Sequence, residues 1–274
     1  MRVLGLGDNV VDKYVNLKMM YPGGNALNFA VFAKKLKQDA SFLGVFGSDE
    51  EAKHVLSVIN ELGIDNSHSR NEIGENGCAR VEIVDCDRVF LGSNEGGVTR
   101  EFPIILNRDD MEYLKEFELI HMGLYSHVNH LLPDLVELSA EISYDFSDDF
   151  TQADIDKAIE FVDYGFFSCS ALSTHEAKAF LKQNFHPNNK ILVVTRGSKS
   201  VIAYDGKEFY KANPAFIEPV DTMAAGDSFL TAFLVYLLDE GSSVEEAMMK
   251  AHQFAAESCL VEGSFGFGKS YEEK

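Results

Sequence analysis

The chain is poor in positive charge and contains no apolar run long enough to cross a membrane. Its 274 residues include 24 Lys and Arg against 44 Asp and Glu, which gives a formal net charge of −20 at pH 7. Sequence-independent binding to nucleic acid or to an anionic membrane depends on basic patches, so we expect neither partner. The longest apolar run, Phe229 to Leu238, is far shorter than the about 20 residues that span a bilayer.

Cysteine is also scarce. The four cysteines, Cys78, Cys86, Cys169 and Cys259, form neither a CxxC pair nor a dense framework. This spacing argues against a zinc site and against a disulfide scaffold, so we expect reduced thiols. Met1 leads directly into a strand-like segment without a charged and apolar leader, and we therefore expect a cytoplasmic protein.

The chain has no linker rich in Pro, Gly and Ser and no internal repeat. Strand-like and helical patterns alternate instead, which predicts a parallel sheet with helices on both faces. The strand-like runs are 40–46, 118–123, 142–146, 164–168 and 190–195, and the helical patterns are 49–62, 130–140, 154–162 and 174–184. With 46% hydrophobic residues, the chain is long enough for one α/β domain over residues 1–274.

A different pattern interrupts this alternation in the first half of the chain. Three segments favour strands without intervening helices: Val11 to Leu17, Cys78 to Val84 and Arg88 to Leu91. We expect them to pair into a small antiparallel flap, formed from about residues 11–20 and 73–100.

The most informative segment runs from Asp221 to Asp227 and is followed directly by the apolar stretch that begins at Phe229. Small residues at positions 224–226 allow a tight turn before a helix, where unpaired amides and the helix dipole bind anions. A carboxylate in the first turn, Asp227, then lies beside that anion and can serve as a base. This combination favours phosphoryl transfer. An ordinary turn capped by Thr222 or Asp227 is the alternative.

Two segments near the start of the chain suit the recognition of hydroxyl groups. Asp8 and Asp12 follow a short buried strand, and ionised carboxylates accept the hydrogen bonds that sugars donate. Gly24 permits close approach of the backbone, and Asn25 and Asn28 open a helix predicted to run through Lys37.

A nucleotide site is predicted nearer the end of the chain. The strand-like run 190–195 leads into a turn that contains Thr195 and Gly197, and ligands of open parallel sheets bind at the carboxyl ends of strands. Small residues around His252 leave room for an adenine, although plain helix packing explains them almost as well.

Three of these segments resemble the motifs of the ribokinase/PfkB family of carbohydrate kinases, and they occur in the family order. They are Gly7-Asp8 with Asp12, Gly23-Gly24-Asn25-Ala26-x-Asn28, and Asp221-Thr222-Met223-Ala224-Ala225-Gly226-Asp227. The resemblance implies a three-layer sandwich with a mostly parallel central sheet flanked by helices, and a small β lid over the sugar. It also implies ATP as phosphoryl donor.

The resemblance assigns roles to individual residues. Asp227 is the base, and the amides of Ala224, Ala225 and Gly226 form the anion hole. The sugar-binding residues are Asp8, Asp12, Gly24, Asn25 and Asn28, and the nucleotide-binding residues are Thr195, Gly197, Thr222 and His252. Position 224 departs from the glycine of the family motif. We expect Ala224 to occupy the α or β region, where its methyl group does no harm.

The family's Mg²⁺ motif, Asn-x-x-Glu, corresponds to Ser173-Thr174-His175-Glu176, so Glu176 is a candidate for holding Mg²⁺ through water. The resemblance further suggests a monovalent cation such as K⁺ beside the anion hole, with Asp221 and the loop from Gly263 to Gly266 as contributors. A homodimer formed through the lid is also typical of the family.

Further segments are similar to the fructoselysine 6-kinases within this family. They are Asp87-Arg88-Val89-Phe90, Glu95-Gly96, His121, Ser126-His127 and Asp145-Phe146-Ser147-Asp148. This similarity predicts transfer of the γ-phosphoryl group of ATP to the 6-hydroxyl of fructoselysine. Asp12, Arg88 and Glu95 would meet the charged groups of that substrate, whereas His121 and His127 are predicted to be wall residues outside the catalytic set.

Several alternatives remain at this stage. A fructokinase, ribokinase or ketodeoxygluconate kinase would share the transfer machinery, and a non-catalytic sugar-binding pseudokinase would explain Ala224 and Ser173. A Rossmann oxidoreductase is disfavoured because Val10 replaces the third glycine of GxGxxG.

Overall fold

The computed structural model describes residues 1–84, 87–214 and 217–272, and it leaves the side chains of Val84, Asp87 and Arg88 undescribed. The strands are β1 (Arg2–Gly7), β2 (Val10–Tyr14), β3 (Met19–Gly23), β4 (Asp39–Phe46), β5 (Arg70–Asn71), β6 (Gly77–Val84), β7 (Asp87–Ser93), β8 (Leu119–Gly123), β9 (Glu141–Asp145), β10 (Tyr164–Ser168), β11 (Ile191–Arg196), β12 (Lys199–Tyr204), β13 (Phe209–Ala212) and β14 (Lys269–Ser270).

The helices lie between these strands for most of the chain. They are α1 (Asn25–Lys35), α2 (Glu50–Leu62), α3 (Val98–Glu101), α4 (Arg108–Leu114), α5 (Leu132–Leu135), α6 (Gln152–Ala158), α7 (Thr174–Asn184), α8 (Ala225–Leu238) and α9 (Val244–Ser258), with 3₁₀ turns at Leu124–Ser126, Asn129–Leu131 and Ile159–Phe161.

The large sheet has the strand order β13-β12-β11-β10-β9-β8-β1-β4-β5. The pairs from β11 to β5 are parallel, and only the β11-β12 and β12-β13 pairs within this sheet are antiparallel. The predicted mostly parallel sheet is therefore confirmed. The antiparallel strands at its edge, β12 and β13, were not singled out from the sequence.

Apolar side chains cover both faces of the large sheet, and consecutive residues of one strand point to opposite faces. Phe166 and Val193 belong to a core shared with α1, α8 and α9. Their neighbours Phe167 and Val194 belong to a second core shared with α4, α5, α6 and α7. The result is a three-layer arrangement of helices, sheet and helices.

A smaller sheet, of order β14-β3-β2-β6-β7, lies beside the large one. Pairs β2-β3 and β6-β7 are antiparallel, but β2 and β6 run parallel, with Val10 opposite Gly77. The expectation of a purely antiparallel flap is wrong at this pair. The segment from α1 through α2 acts as a crossover that returns the chain in the same direction, as parallel strands require.

Three predicted helices differ in extent from those in the structure. The pattern at 130–140 contains only a 3₁₀ turn and the short α5, because the chain must turn back before β9 begins at Glu141. The pattern at 154–162 begins earlier, at Gln152, where Thr151 caps α6, and it ends as a 3₁₀ turn. Helix α1 ends at Lys35, before Lys37 adopts a positive φ of 64°.

Cys78, Cys169 and Cys259 are free thiols, as predicted, whereas Cys86 lies outside the described residues. Over the ranges that the structure describes, none of the helices has both the length and the apolar character needed to span a membrane.

Candidate active site

Asp227 is held at the start of α8 by two amide side chains from α1. Asn25 Nδ2 donates to Asp227 Oδ1 at 3.0 Å, and Asn28 Nδ2 donates to Oδ2 at 2.5 Å. Residues three apart lie on the same face of a helix, so the first turn of α1 presents both amides to α8. Each carboxylate oxygen of Asp227 is thereby fixed in position.

The first turn of α8 has no side-chain cap among the described residues. The N-cap residue, Ala224, has no polar side chain to bond the amides of this turn, and the amide end of the helix dipole attracts anions. A methyl group built on Gly226 would meet no atom within 4 Å, so the space beside this turn is open. Side-chain caps are present on α2, α4, α6, α7 and α9, at Asp49, Asn107, Thr151, Ser173 and Ser243.

Ala224 precedes α8 in the left-handed conformation, with φ 56° and ψ 19°. The expectation that it occupies the α or β region is wrong. The turn that follows Asp221 is closed by Met223 N donating to Asp221 Oδ1, and Ser228 N donates to Ala224 O to begin the helix at once. Ala224 lies between these two hydrogen bonds, where the chain turns sharply into the helix. The left-handed conformation that this turn requires costs a residue with a β-carbon about 1–2 kcal/mol.

Asp8 organises the opposite helix. Asn25 N and Ala26 N donate to its two oxygens at 2.7 and 3.2 Å, and Ser126 Oγ donates to Oδ1 at 2.7 Å. Gly24 makes this approach possible, because with φ 108° a methyl group there would lie 2.9 Å from Asp8 O. Asp8 therefore caps α1 and sets the position from which Asn25 reaches Asp227.

Asp145 at the end of β9 completes the cluster. Its Oδ2 accepts from the same Asn25 Nδ2 at 2.9 Å, and its Oδ1 accepts from Ser147 N at 2.9 Å. Burial, followed by the charge of Asp227, raises the pKa of Asp145 to about 7. Sequence reasoning noted this segment but gave Asp145 no role. Its position at the carboxyl end of a predicted parallel strand was the available signal.

The small sheet brings Asp12 to the same region. Asp12 is buried on β2, and a methyl group on Gly23 would lie 2.5 Å from its Oδ2. On the same strand, the Tyr14 hydroxyl donates to Asp221 Oδ2 at 2.5 Å, and Gly263 N donates to that oxygen at 2.9 Å. The small sheet is thus bonded directly to the segment that precedes α8.

Glu95 lies in the turn after β7, where it forms an ion pair with Arg100. His127 lies beside this turn: burial and then Arg100 lower its pKa, while the charge of Asp8 raises it. The turn therefore lies on the side of the site where Asp8 is found. The side chain of Arg88 lies outside the described part of the chain.

The predicted nucleotide loop follows β11. The Thr195 hydroxyl lies 3.3 Å from Ser168 Oγ, and Gly197 has φ 61° with no atom near the place of a β-carbon. The buried Arg196, which sequence reasoning passed over, donates to Ser200 O at 2.8 Å and to Ser200 Oγ at 2.5 Å. Its guanidinium fixes the turn between β11 and β12.

The other predicted nucleotide residues lie around α8 and α9. His252 packs against Phe229 with 4.8 Å between ring centroids, and burial lowers its pKa to about 4, so it is neutral at pH 7. Thr222 O accepts from Ala225 N at 3.3 Å, so one of the proposed anion-hole amides already has a long hydrogen bond.

Glu176 occupies the first turn of α7, where it and Ser173 form a capping box. The carboxylate oxygen Oε2 of Glu176 accepts from Ser173 N at 2.8 Å. Within the described ranges, no group of three or more His, Cys, Asp or Glu residues is arranged to hold a metal ion by itself. A metal that arrives with phosphate oxygens needs only one or two protein carboxylates, and the open end of α8 is suited to those phosphates.

Direct contacts therefore join only part of the predicted site. The contacts among Asp8, Gly24, Asn25, Asn28 and Asp227, with Asp145 added, make one cluster. The contacts described above for Glu95, Glu176, Thr195 and His252 are with other residues.

Comparisons with known proteins show the family to which the chain belongs. A family model described as pfkB family carbohydrate kinase matches residues 8–266. The fructosamine kinase FrlD of Bacillus subtilis is 35% identical over 272 residues, which cover 99% of this chain and 95% of the relative. The fructoselysine 6-kinase of Escherichia coli is 27% identical over 260 residues, covering 95% and 98%. A ribokinase structure from Giardia lamblia superposes with a TM-score of 0.81, at 18% identity and 96% coverage of both chains.

The fold is therefore ribokinase-like, as predicted, and the protein is an ATP-dependent carbohydrate kinase. The chain belongs to the PfkB family. Kinases of this family use ATP, generally with Mg²⁺, and a sugar substrate.

Proposed function

We propose that this kinase transfers the γ-phosphoryl group of ATP to the 6-hydroxyl of fructoselysine, with Asp227 as the base. The observation that carries the proposal is the fixed carboxylate of Asp227 in the first turn of α8, at the amide end of that helix. Sequence relatives at 35% and 27% identity that are named as fructosamine and fructoselysine kinases support the choice of substrate.

The chemistry requires a hydroxyl, a phosphoryl donor and a base in line. The sugar oxygen bonds to the γ-phosphorus as the bond from that phosphorus to the β-γ bridging oxygen breaks, ADP leaves, and the hydroxyl proton passes to Asp227. Asn25 and Asn28 keep the carboxylate oriented for this transfer. Amides of residues 224–226 stabilise the transferred group, and bound Mg²⁺ would screen the phosphate charge. A positioned base contributes about 10²–10⁴-fold.

The electrostatics of the site favour a cationic substrate. Asp145 accepts both of its described hydrogen bonds from neutral donors, the Asn25 amide and the Ser147 backbone. A fructosamine carries a protonated secondary amine, and an opposite charge near a half-buried carboxylate stabilises both groups. We propose that Asp12 and Arg88 on the small sheet, with Glu95 in the turn after β7, meet the rest of this substrate. Asp8, Gly24, Asn25 and Asn28 would line the sugar.

A panel of sugars tests the substrate. Release of ADP would be measured with fructoselysine, fructose, ribose and ketodeoxygluconate under the same conditions. We expect kcat/KM to be highest for fructoselysine. A higher value for any of the unmodified sugars would contradict the proposed substrate while leaving the kinase class intact.

The base is tested by Asp227→Asn, which keeps the size of the side chain but cannot accept the proton. We expect turnover to fall by about 10²–10⁴-fold while ATP binding, measured by calorimetry, is retained. Turnover near the wild-type value would remove Asp227 from the mechanism.

The remaining assignments are also proposals. Thr195, Gly197, Thr222 and His252 would contact the nucleotide, and Glu176 would hold Mg²⁺ through water. A K⁺ ion beside Asp221 would have to share that carboxylate with Tyr14 and Gly263. We further propose a cytoplasmic enzyme with one domain over 1–274, in which the small sheet, from about 11–20 and 73–100, covers the sugar and joins two protomers.

A further inference from the structure

His121 on β8 is a fully buried histidine that the proposed mechanism does not use. Its Nδ1 lies 3.0 Å from Ser143 Oγ and its Nε2 lies 3.0 Å from Asn25 Oδ1. The ring stacks on Phe29, with 4.6 Å between centroids. A histidine inside the core thus contacts the residue that holds Asp227.

The hydrogen bonds around Asn25 determine which nitrogen of His121 carries the proton. Asn25 Nδ2 faces Asp227, whose carboxylate must be ionised to act as the base and then only accepts, so this end of the amide must be the donor. Asn25 Oδ1 must then accept from His121 Nε2–H. His121 Nδ1 is left to accept from the Ser143 hydroxyl. Burial lowers the pKa of His121 to about 3, which keeps the ring neutral, as this arrangement requires.

The arrangement also fixes the orientation of the Asn25 side chain. Rotation of the amide by 180° would direct its oxygen toward the ionised carboxylate of Asp227, which is repulsive. It would also require His121 to carry its proton on Nδ1 in order to accept from the NH₂ group. A methyl group on Gly123 would lie 2.4 Å from Asn25 Oδ1, so the glycine at the end of β8 makes room for this amide.

We propose that His121 is a positioning residue of the phosphoryl-acceptor site, which acts through the Asn25 amide to hold Asp227 and Asp145 in their observed places. This inference rests on the proposed role of Asp227 as base. It differs from the prediction that His121 is only a wall residue. A wall residue needs the shape of the ring, whereas a positioning residue needs its Nε2–H donor.

Two substitutions separate these roles. His121→Phe keeps an aromatic ring on Phe29 but has no donor, and His121→Gln places an amide donor near the position of Nε2. We expect kcat to fall by about 10²-fold in His121→Phe, because small displacements of a catalytic group have effects of this size. KM for ATP should change little, and His121→Gln should recover most of the lost kcat. Wild-type kcat in a folded His121→Phe protein, or no recovery in His121→Gln, would overturn the proposal.

The tautomer of His121 provides a test that does not depend on the variants folding or on the substrate. Nitrogen NMR of the wild-type protein should show His121 neutral and protonated at Nε2. Protonation at Nδ1, or a charged ring at pH 7, would overturn the proposal outright. If the tautomer is as expected but Asp227→Asn retains turnover, the proposed function fails while the orientation of Asn25 stands.

Discussion

Asp145 accepts from the same amide nitrogen as Asp227, and its raised pKa makes the stability of the protein depend on pH. The pKa of Asp145 is raised to about 7, so the folded state binds its proton more tightly than the unfolded chain does. Its contribution to stability is present below the unfolded pKa and is lost as the pH rises through the folded pKa. Burial is the largest cause of this shift, the charges of Asp227, Asp8 and Asp148 add to it, and the hydrogen bond from Ser147 N opposes it.

Asp145→Asn removes this titration while keeping the shape of the side chain. We expect its melting temperature to rise relative to the wild type between about pH 4 and pH 7, because in that window the carboxyl of the wild type is ionised in the unfolded chain but still protonated in the folded protein. Thermal melts of both proteins across this range measure the difference, and the titrations that they share cancel. Parallel curves would show that Asp145 does not titrate near neutrality.

Ala224 carries backbone strain that glycine would not. With φ at 56°, Ala224→Gly should stabilise the protein by about 1 kcal/mol, since glycine reaches the left-handed region without a steric cost. The matched control is Ala225→Gly in the first turn of α8, where φ is helical and glycine is expected to give no gain. Chemical denaturation of the three proteins measures the effect. Equal stability of the two variants would contradict the strain.

At the scale of elements, local sequence patterns predicted the positions of most strands of the large sheet, but they did not predict which strands of the small sheet pair with each other. Strands β4, β8, β9, β10 and β11 and helices α2 and α7 have the predicted positions within one or two residues. Hydrophobic periodicity determines these elements locally. The parallel β2-β6 pair depends on the crossover between them, which the strand patterns do not encode.

In the site, too, short motifs predicted individual residues, whereas the contacts between residues far apart in the sequence were not predicted. Asp8, Asn25, Asn28 and Asp227 were predicted because each stands in a short motif. The bonds that join them connect residues far apart: Asn25 to Asp227 across 202 positions, and His121 to Asn25 across 96. Asp145 and His121 stand in no comparable motif. Their roles appear only when β8 and β9 lie side by side.

A buried hydrogen bond that can be removed by substitution joins the small sheet to the segment before α8. Tyr14→Phe deletes the hydroxyl that donates to Asp221 at 2.5 Å. We expect a loss of about 1.5–3 kcal/mol in the free energy of unfolding, the range for hydrogen bonds to charged groups. Tyr21→Phe is the control, because its hydroxyl bonds to Glu262, which is exposed, and its loss should be smaller. Equal losses would show that the hydrogen bond to Asp221 contributes no more stability than the hydrogen bond to Glu262.

At the scale of the whole molecule, the surface carries a large negative charge and one apolar edge. Strand β7 lies at the edge of the small sheet, with β6 as its only strand neighbour among the residues that the structure describes. Val89, Phe90 and Leu91 on this strand are 44%, 64% and 49% exposed. Edge strands of this kind pair with other chains unless they are protected. These features support the proposed dimer through the small sheet.

The dimer is tested by one substitution on this edge. Phe90→Lys adds a charge to β7 and should convert a dimer into a monomer in sedimentation or light-scattering measurements. The control is Ile105→Lys, which alters an exposed apolar residue on another segment and should leave the dimer intact. Each protomer has a net charge of −20, so the two repel, and association should strengthen as the salt concentration rises from about 0.02 to about 0.2 M. A wild-type protein that stays monomeric at high salt would exclude the dimer. A Phe90→Lys protein that stays dimeric would place the interface elsewhere.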